Sequence, residues 1–202
     1  MKNIIFDVGD VLIEYRWKDM LVDYGLSMEE AIALGDKMFD NPLWHTLDLG
    51  TMSDDEVIME YAKLYEDDAQ IIEYFIKHGE YMHVGRPEIW EKIHRLKNNG
   101  YHIYLLSNYS QGLFTKHTKD ASFMNDIDGK VVSYQIHKAK PDKTIYQYLL
   151  DKYDLKADEC VFLDDRKENT EAATSMGIKS FTVVSRNYLS KLLTEWIDNG
   201  IM

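Results

Sequence analysis

Short apolar runs that end at polar residues recur along the chain and predict buried strands. The first covers residues 4–6 and stops at Asp7, and three later runs stop in the same way. An apolar run of this length before a polar turn is typical of a strand that is covered on both faces. The predicted strands are residues 4–6, 101–106, 160–163 and 180–184.

Segments with helical spacing of apolar residues precede the later runs. They cover residues 87–98, 143–153 and 169–176. Strands that alternate with helices indicate right-handed crossovers and a mostly parallel sheet with helices on both faces. We therefore predict an α/β fold with a three-layer, Rossmann-like parallel sheet, in which ligands bind at the carboxyl ends of the strands.

Residues 16–85 have a different character, because strand-like runs disappear and helical patterns replace them. Ser27 and Ser53 are each followed three residues later by a glutamate, which is the capping box of a helix start. The predicted helices cover residues 27–39, 53–65 and 69–78. We expect an insert of three or four helices.

The insert follows directly on the polar end of the first strand, so it must leave the sheet at the carboxyl edge. It could be extra helical packing against the sheet, but this position favours a small helical cap over the ligand crevice. We predict that residues 1–15 and 86–202 form the α/β core and that residues 16–85 form the cap.

Composition and charge narrow the possible partners. The 202 residues include 23 basic and 35 acidic side chains, and the net charge of -12 opposes broad contact with nucleic acid or anionic membranes. No apolar run approaches the ~18 residues of a membrane span. The single cysteine, Cys160, lies in an apolar stretch and is expected to be a buried thiol. We expect a cytoplasmic protein that is a monomer or a weak homodimer.

Residues suited to phosphate chemistry follow the predicted strands or precede a predicted helix. They are Asp7 and Asp10, Ser107 and Asn108, Lys140, and Asp164 and Asp165. Carboxylates gathered at one point repel one another unless a cation lies among them, and hard oxygen ligands suit Mg²⁺. A lysine and a serine hydroxyl beside the metal can hold a phosphoryl group. The pattern predicts a Mg²⁺ site that handles a small phosphorylated metabolite.

Four segments resemble, in the correct order, the motifs of the haloacid dehalogenase-like hydrolase superfamily. They are residues 6–12, residues 105–108, residues 140–142, and residues 161–165 with Asn169. The insert is similar to the small helical cap of this superfamily. Residues 44–53 and the Asp-x-Gly start resemble the branch that contains bacterial glucose-1-phosphate phosphatases. The resemblance implies a phosphatase that works through an aspartyl-phosphate intermediate.

The resemblance also implies a role for each candidate residue. Asp7 would be the nucleophile, and a carboxylate needs no base to activate it. Ser107, the Asn108 backbone amide and Lys140 would bind the phosphate. The metal ligands would be the Asp7 side chain, the Gly9 backbone carbonyl and Asp165, with Asp164 in support.

One position departs from the family pattern, because Gly9 stands where family phosphatases usually have a general acid. Such a catalyst supplies ~10²- to 10⁴-fold in rate. Asp10 could swing in to replace it, or His45 of the insert could donate the proton. Alternatively, the substrate has a good leaving group such as the anomeric oxygen of a sugar 1-phosphate, for which a strong acid is not needed.

Trp44 and His45 are candidate substrate contacts in the insert, although aromatic residues there also fit a helical core. Two other functions remain open. A 2-haloacid dehalogenase would suit the absence of a second acid at Gly9, but it gains nothing from the Asp164 and Asp165 pair. A catalytically silent regulatory domain would not need the nucleophile and metal acids that the sequence retains.

Overall fold

The protein, described here by a computed structural model of residues 1–201, contains a central parallel sheet and a separate two-stranded antiparallel sheet. Within that range the strands are β1 (Asn3–Phe6), β2 (Ile13–Tyr15), β3 (His83–Gly85), β4 (His102–Ser107), β5 (Gly129–Val132), β6 (Cys160–Asp164) and β7 (Lys179–Thr182). The central sheet has the order β5-β4-β1-β6-β7, and all its neighbouring strands are parallel. The predicted α/β fold is therefore confirmed.

Strand β1 lies at the centre of the sheet, and its side chains alternate between two cores. Ile4 and Phe6 belong to one buried cluster, and Ile5 belongs to the other. All three side chains are fully buried. A strand with no polar face needs helices on both sides, which explains why this segment reads as a continuous apolar run.

Eleven α-helices accompany the strands in the part of the chain that the structure describes. They are α1 (Trp17–Tyr24), α2 (Met28–Phe39), α3 (Pro42–Asp48), α4 (Asp54–Leu64), α5 (Ala69–Lys77), α6 (Pro87–Asn98), α7 (Gln111–Thr118), α8 (Ser133–Ile136), α9 (Lys143–Lys152), α10 (Lys167–Ser175) and α11 (Arg186–Asn199). Apolar residues of α6 and α11 share the cluster of Phe6, and those of α9 and α10 share the cluster of Ile5. The sheet is thus the middle of three layers. None of these helices is long and apolar enough to cross a bilayer.

The insert begins and ends at β2 and β3, which form a two-stranded antiparallel sheet. Helices α1 to α5 lie between these strands. Both predicted capping boxes are present, because Ser27 and Ser53 each accept a hydrogen bond from the backbone amide of the glutamate three residues later. The insert shares one buried cluster with the sheet, and Met38, Tyr61 and Phe75 are fully buried in it.

Some elements differ from the expectations. The insert has five α-helices rather than three or four, and β3 lies in a region expected to lack strands. Strand β5 was not predicted, since Gly129 and Lys130 interrupt its apolar pattern and it is an edge strand. Helices α7 and α11 were not predicted either. The last strand ends at Thr182, two residues before the predicted end. Cys160 is a buried free thiol, as expected.

Candidate active site

The carboxyl ends of β1, β4 and β6 bring together side chains that are far apart in the chain. Asp7 follows β1, and Ser107 and Asp164 are the last residues of β4 and β6. These strands pair in register, so the three positions lie at one edge of the sheet. Lys140 reaches the same point from the loop before α9. The parallel topology therefore produces a compact polar cluster.

Lys140 is a buried cation held between two carboxylates. Its Nζ lies 2.9 Å from Asp7 Oδ1 and 2.6 Å from Asp164 Oδ2, and the side chain is only 1% exposed. Its third hydrogen bond goes to the Leu106 carbonyl oxygen, at 2.8 Å. The Ser107 hydroxyl donates to the same oxygen of Asp7 at 2.5 Å. Lys140 and Ser107 thus hold Oδ1 of Asp7 and fix the orientation of its carboxylate.

Asp164 is fully buried, and donors surround its carboxylate. Besides Lys140, it accepts hydrogen bonds from the Arg166 backbone amide at 2.8 Å and from Asn169 Nδ2 at 2.9 Å. A buried carboxylate with this many donors is satisfied without further partners. Asp164 therefore orients Lys140 from beneath the site, while the neighbouring Asp165 lines the cavity.

Three carboxylates form a cluster suited to a cation. Asp7, Asp164 and Asp165 each offer an oxygen, and these oxygens lie within 4.8 Å of one another. Burial, with added repulsion from Asp7 and Asp164, raises the pKa of Asp165 to about 7. Burial also raises the pKa of Asp7, against the opposite effect of Lys140. A divalent ion among these oxygens would remove the repulsion, and an all-oxygen donor set fits Mg²⁺.

The Gly9 carbonyl is the predicted backbone ligand. It accepts a hydrogen bond from the Val11 amide at 2.7 Å, which leaves its second lone pair available, and Gly9 lines the cavity. The position also has no room for a side chain. A Cβ at Gly9 would lie 2.6 Å from Tyr15 Cε2 and 2.7 Å from the Tyr15 hydroxyl oxygen. The Tyr15 ring thus occupies the space in which an acid at position 9 would begin.

Asp10 stabilises the turn after β1. It has a left-handed backbone with φ 50, and its Oδ1 accepts a hydrogen bond from the Tyr15 amide at 3.0 Å. Arg86, which is buried, donates to the Asp10 and Val11 carbonyl oxygens at 2.7 and 3.1 Å. Burial raises the pKa of Asp10, and the residue lines the cavity. Its carboxylate serves as the acceptor that closes the turn.

A cavity of about 250 Å³ lies above this cluster. The sheet side supplies Asp7, Asp10, Lys140 and Asp165, and the insert supplies an aromatic wall. That wall consists of Trp17, Phe39 and Trp44, whose rings contact edge to face with centroids 5.0 and 4.8 Å apart. The cavity combines a charged floor with an apolar wall, an arrangement typical of a site for a small anionic molecule.

Asp48 is a cavity residue that the sequence analysis did not single out. It ends α3 and projects from the insert toward the charged floor. Burial, with repulsion from Asp7, raises its pKa to about 7. The available signal was its position in residues 44–53, the segment that carries the resemblance to sugar phosphatases. An acidic residue at the end of a short helix gave no reason by itself to choose it.

The remaining candidates divide into two groups. Trp44 and Asn108 line the cavity, and Asn108 also exchanges two hydrogen bonds with the Lys140 backbone, at 2.9 and 2.8 Å. Ser107 is buried beneath Asp7 and is not a lining residue. His45 is exposed and does not line the cavity in the described chain. Its predicted contact with substrate therefore has no support from this geometry.

Curated relatives include enzymes of phosphate metabolism. The D-ribitol-5-phosphate phosphatase of Bacteroides thetaiotaomicron is 24% identical over 189 residues, which cover 90% of this chain and 91% of the relative. The sesquiterpene phosphatase of Aspergillus oryzae is 25% identical and covers 88% of this chain and 87% of the relative. A drimenol cyclase of Aspergillus calidoustus is 24% identical over 96% of this chain, but the chain spans only 36% of its length.

Solved structures share the fold. A haloacid dehalogenase family enzyme from Bacteroides thetaiotaomicron, in complex with magnesium and inorganic phosphate, has a TM-score of 0.71 and 19% identity, and the match covers 90% of this chain and 93% of that enzyme. A dehalogenase has a TM-score of 0.76 and 18% identity, with 100% and 98% covered. The sequence pattern of the haloacid dehalogenase-like hydrolase family matches residues 47–183, which is more than half of the chain. The chain therefore belongs to the haloacid dehalogenase-like hydrolases.

Proposed function

We propose that the protein is a Mg²⁺-dependent phosphatase that hydrolyses a small phosphorylated metabolite through an aspartyl-phosphate intermediate on Asp7. The observation that carries the proposal is the Asp7 carboxylate at the cavity floor, 2.9 Å from Lys140 Nζ and within 4.8 Å of the Asp165 carboxylate. Lys140, together with a divalent cation held by the carboxylates, would offset the repulsion between this nucleophile and a phosphate dianion. The phosphatases among the relatives support the same reaction class.

We infer a role for each side chain at the charged floor of the cavity. Asp7 Oδ1 is held by Lys140 and Ser107, so its other oxygen is free to attack phosphorus. Lys140 neutralises charge on both the nucleophile and the incoming phosphoryl group. The Asn108 backbone amide would donate to a phosphate oxygen. Mg²⁺ would be held by Asp7, the Gly9 carbonyl and Asp165, with Asp164 in support, and when bound it would neutralise charge on the phosphoryl oxygens.

We infer the substrate class from the cavity and the insert. A volume of about 250 Å³ admits a small molecule, and the aromatic wall of Trp17, Phe39 and Trp44 suits the apolar face of a sugar. We take a sugar phosphate, such as a sugar 1-phosphate, as the substrate class. Residues 16–85 act as a cap in this proposal, because the wall they supply closes the cavity opposite Asp7.

Hydrolysis of p-nitrophenyl phosphate with Mg²⁺ or with a chelator tests the reaction class. We expect activity that requires Mg²⁺, and a loss of at least about 10³-fold in Asp7→Asn. Asp198→Asn, an exposed aspartate of α11, is the matched control and should retain full activity. A panel of sugar 1- and 6-phosphates then identifies the substrate.

Two outcomes would contradict the proposal. Equal rates in Asp7→Asn and the unaltered protein would remove Asp7 as nucleophile. Release of halide from a 2-haloacid without Mg²⁺, together with no phosphate release, would assign the protein to the dehalogenases, whose fold it shares.

A further inference from the structure

The phosphatase proposed above needs a proton for its leaving alcohol, and the two positions nearest the nucleophile do not supply one. Gly9 has no side chain, and the Tyr15 ring fills the space beside it. Asp10 uses Oδ1 to accept the Tyr15 amide and close the turn. The engagement of Asp10 in the turn favours a proton donor from elsewhere in the cavity.

Asp48 approaches the same cavity from the insert, opposite the sheet. It lines the cavity with Asp7, and repulsion from the Asp7 charge is the second cause, after burial, of the raised pKa of Asp48. Within residues 1–201, no hydrogen bond or ion pair engages its carboxylate. In this respect it differs from Asp10 and Asp164, whose oxygens have backbone donors.

The end of α3 is tied to the core, so Asp48 has a fixed position. The Ser133 hydroxyl donates to the Asp48 carbonyl oxygen, and it also accepts the Tyr109 amide at 2.9 Å. The next residue, Leu49, bonds through its carbonyl oxygen to His137 Nδ1 at 2.7 Å. Gly50 packs on residue 134 so closely that a Cβ there would lie 2.7 Å from a backbone oxygen. Three consecutive residues of the insert thus contact residues 133–137.

Charged and titratable groups surround the Asp48 carboxylate from several elements. Asp7 raises its pKa, whereas Arg166 and Lys140 lower it, and burial is the largest cause of the shift to about 7. The phenols of Tyr15, which is half-buried, and Tyr109, which is buried, also interact with its charge. A carboxyl group in such surroundings exists in both protonation states near neutral pH, as proton transfer in both directions requires.

We propose that Asp48 is the general acid and base of this site, supplied by the insert in place of an acid at position 9. Asp7 attacks phosphorus as the bond to the leaving oxygen breaks, and the protonated Asp48 carboxyl gives its proton to that oxygen. In the second step the Asp48 carboxylate takes a proton from water as the water oxygen bonds to phosphorus. The bond between phosphorus and Asp7 breaks, phosphate leaves, and Asp48 is protonated again.

The proposal rests on the phosphatase function, and a comparison of leaving groups in Asp48→Asn tests it separately. We use p-nitrophenyl phosphate, whose leaving group needs no proton, and glucose 6-phosphate, whose leaving alkoxide does. For glucose 6-phosphate, kcat/KM should fall ~10²- to 10⁴-fold, whereas for p-nitrophenyl phosphate it should fall less than about 10-fold. Because the base is lost as well, p-nitrophenolate should appear in a burst equal to the enzyme concentration.

Asp36→Asn, an exposed aspartate of α2, is the matched control for substitutions in the insert and should show neither effect. Ser133→Ala loosens the end of α3 without touching the carboxylate, and it should give a smaller loss that is again confined to glucose 6-phosphate. Equal losses for both substrates, or no loss, would overturn the role of Asp48 while leaving the phosphatase proposal intact. An unaltered protein that cleaves neither phosphate would overturn both.

Discussion

Replacing Lys140 with methionine removes a buried cation and leaves a side chain of similar length. Lys140 Nζ lies 2.9 Å from Asp7 Oδ1 and 2.6 Å from Asp164 Oδ2, with 1% of the side chain exposed. The substitution leaves two buried carboxylates facing each other without the charge that balances them. We expect a large loss of stability in addition to the loss of activity.

The distances set the size of this effect. At an effective dielectric constant of ~20, each ion pair has a gross Coulomb energy of about 6 kcal/mol. Most of this is offset by the cost of burying the charges, and removal of one partner from a buried pair typically costs about 3–5 kcal/mol. In a chain of about 200 residues, this corresponds to a fall of roughly 6–20 °C in Tm.

The free energy of unfolding can be measured by urea denaturation at pH 7.5 and at pH 5, with a chelator present. The pKa of Asp7 is already raised by burial, and Lys140 is the largest influence that lowers it. In Lys140→Met this pKa rises further above its unfolded value, so the folded state takes up a proton as the pH falls. The destabilisation should therefore be largest at pH 7.5 and smaller at pH 5.

Lys138→Met, two residues earlier and exposed, is the control and should stay within about 0.5 kcal/mol of the unaltered protein. A loss of less than about 1 kcal/mol in Lys140→Met would show that the removal of this buried cation costs far less than the loss of a buried ion-pair partner normally does. A loss of the same size at both pH values would refute the carboxylate origin of the effect.

Two further substitutions test the loop after β1. Gly9→Ala should destabilise the protein by about 1–3 kcal/mol in urea denaturation, because the alanine Cβ would lie 2.6 Å from the Tyr15 ring. Unchanged stability would show that the ring moves aside at little cost. Asp10→Asn should change the free energy of unfolding by less than about 1 kcal/mol. The asparagine side-chain oxygen can still accept a hydrogen bond from the Tyr15 amide, and asparagine tolerates a φ of 50. The dependence of the rate on the leaving group should stay unaltered. A loss confined to glucose 6-phosphate in Asp10→Asn would assign proton transfer to Asp10.

The fold was largely predictable, and the missed strand β5 has a physical reason. Strand β1 and strand β6 are buried on both faces, so their apolar runs were visible in the sequence. Strand β5 lies at the sheet edge and begins with Gly129 and Lys130, so only pairing with β4 identifies it as a strand. The two capping boxes marked helix starts because that signal is local.

The site residues that lie at the ends of strands were predictable from the sequence. Those that the insert contributes were not. The carboxyl ends of parallel strands lie at the same edge of a sheet, and this rule alone places Asp7, Ser107 and Asp164 together. No such rule relates the insert to the sheet. His45 was a candidate and is exposed, whereas Asp48, three residues later on the same helix, lines the cavity.

The sequence by itself therefore determined the parallel sheet, the helical insert and the acids that follow the strands, because burial pattern and capping act over a few neighbouring residues. Only the tertiary structure decided that the Tyr15 ring fills the space at Gly9 and that Asp48 lines the same cavity as Asp7. The first feature depends on how the turn after β1 places Tyr15 against Gly9, and the second depends on how the insert packs on the sheet. That packing is the sum of many distant contacts, and no short segment of the sequence encodes it.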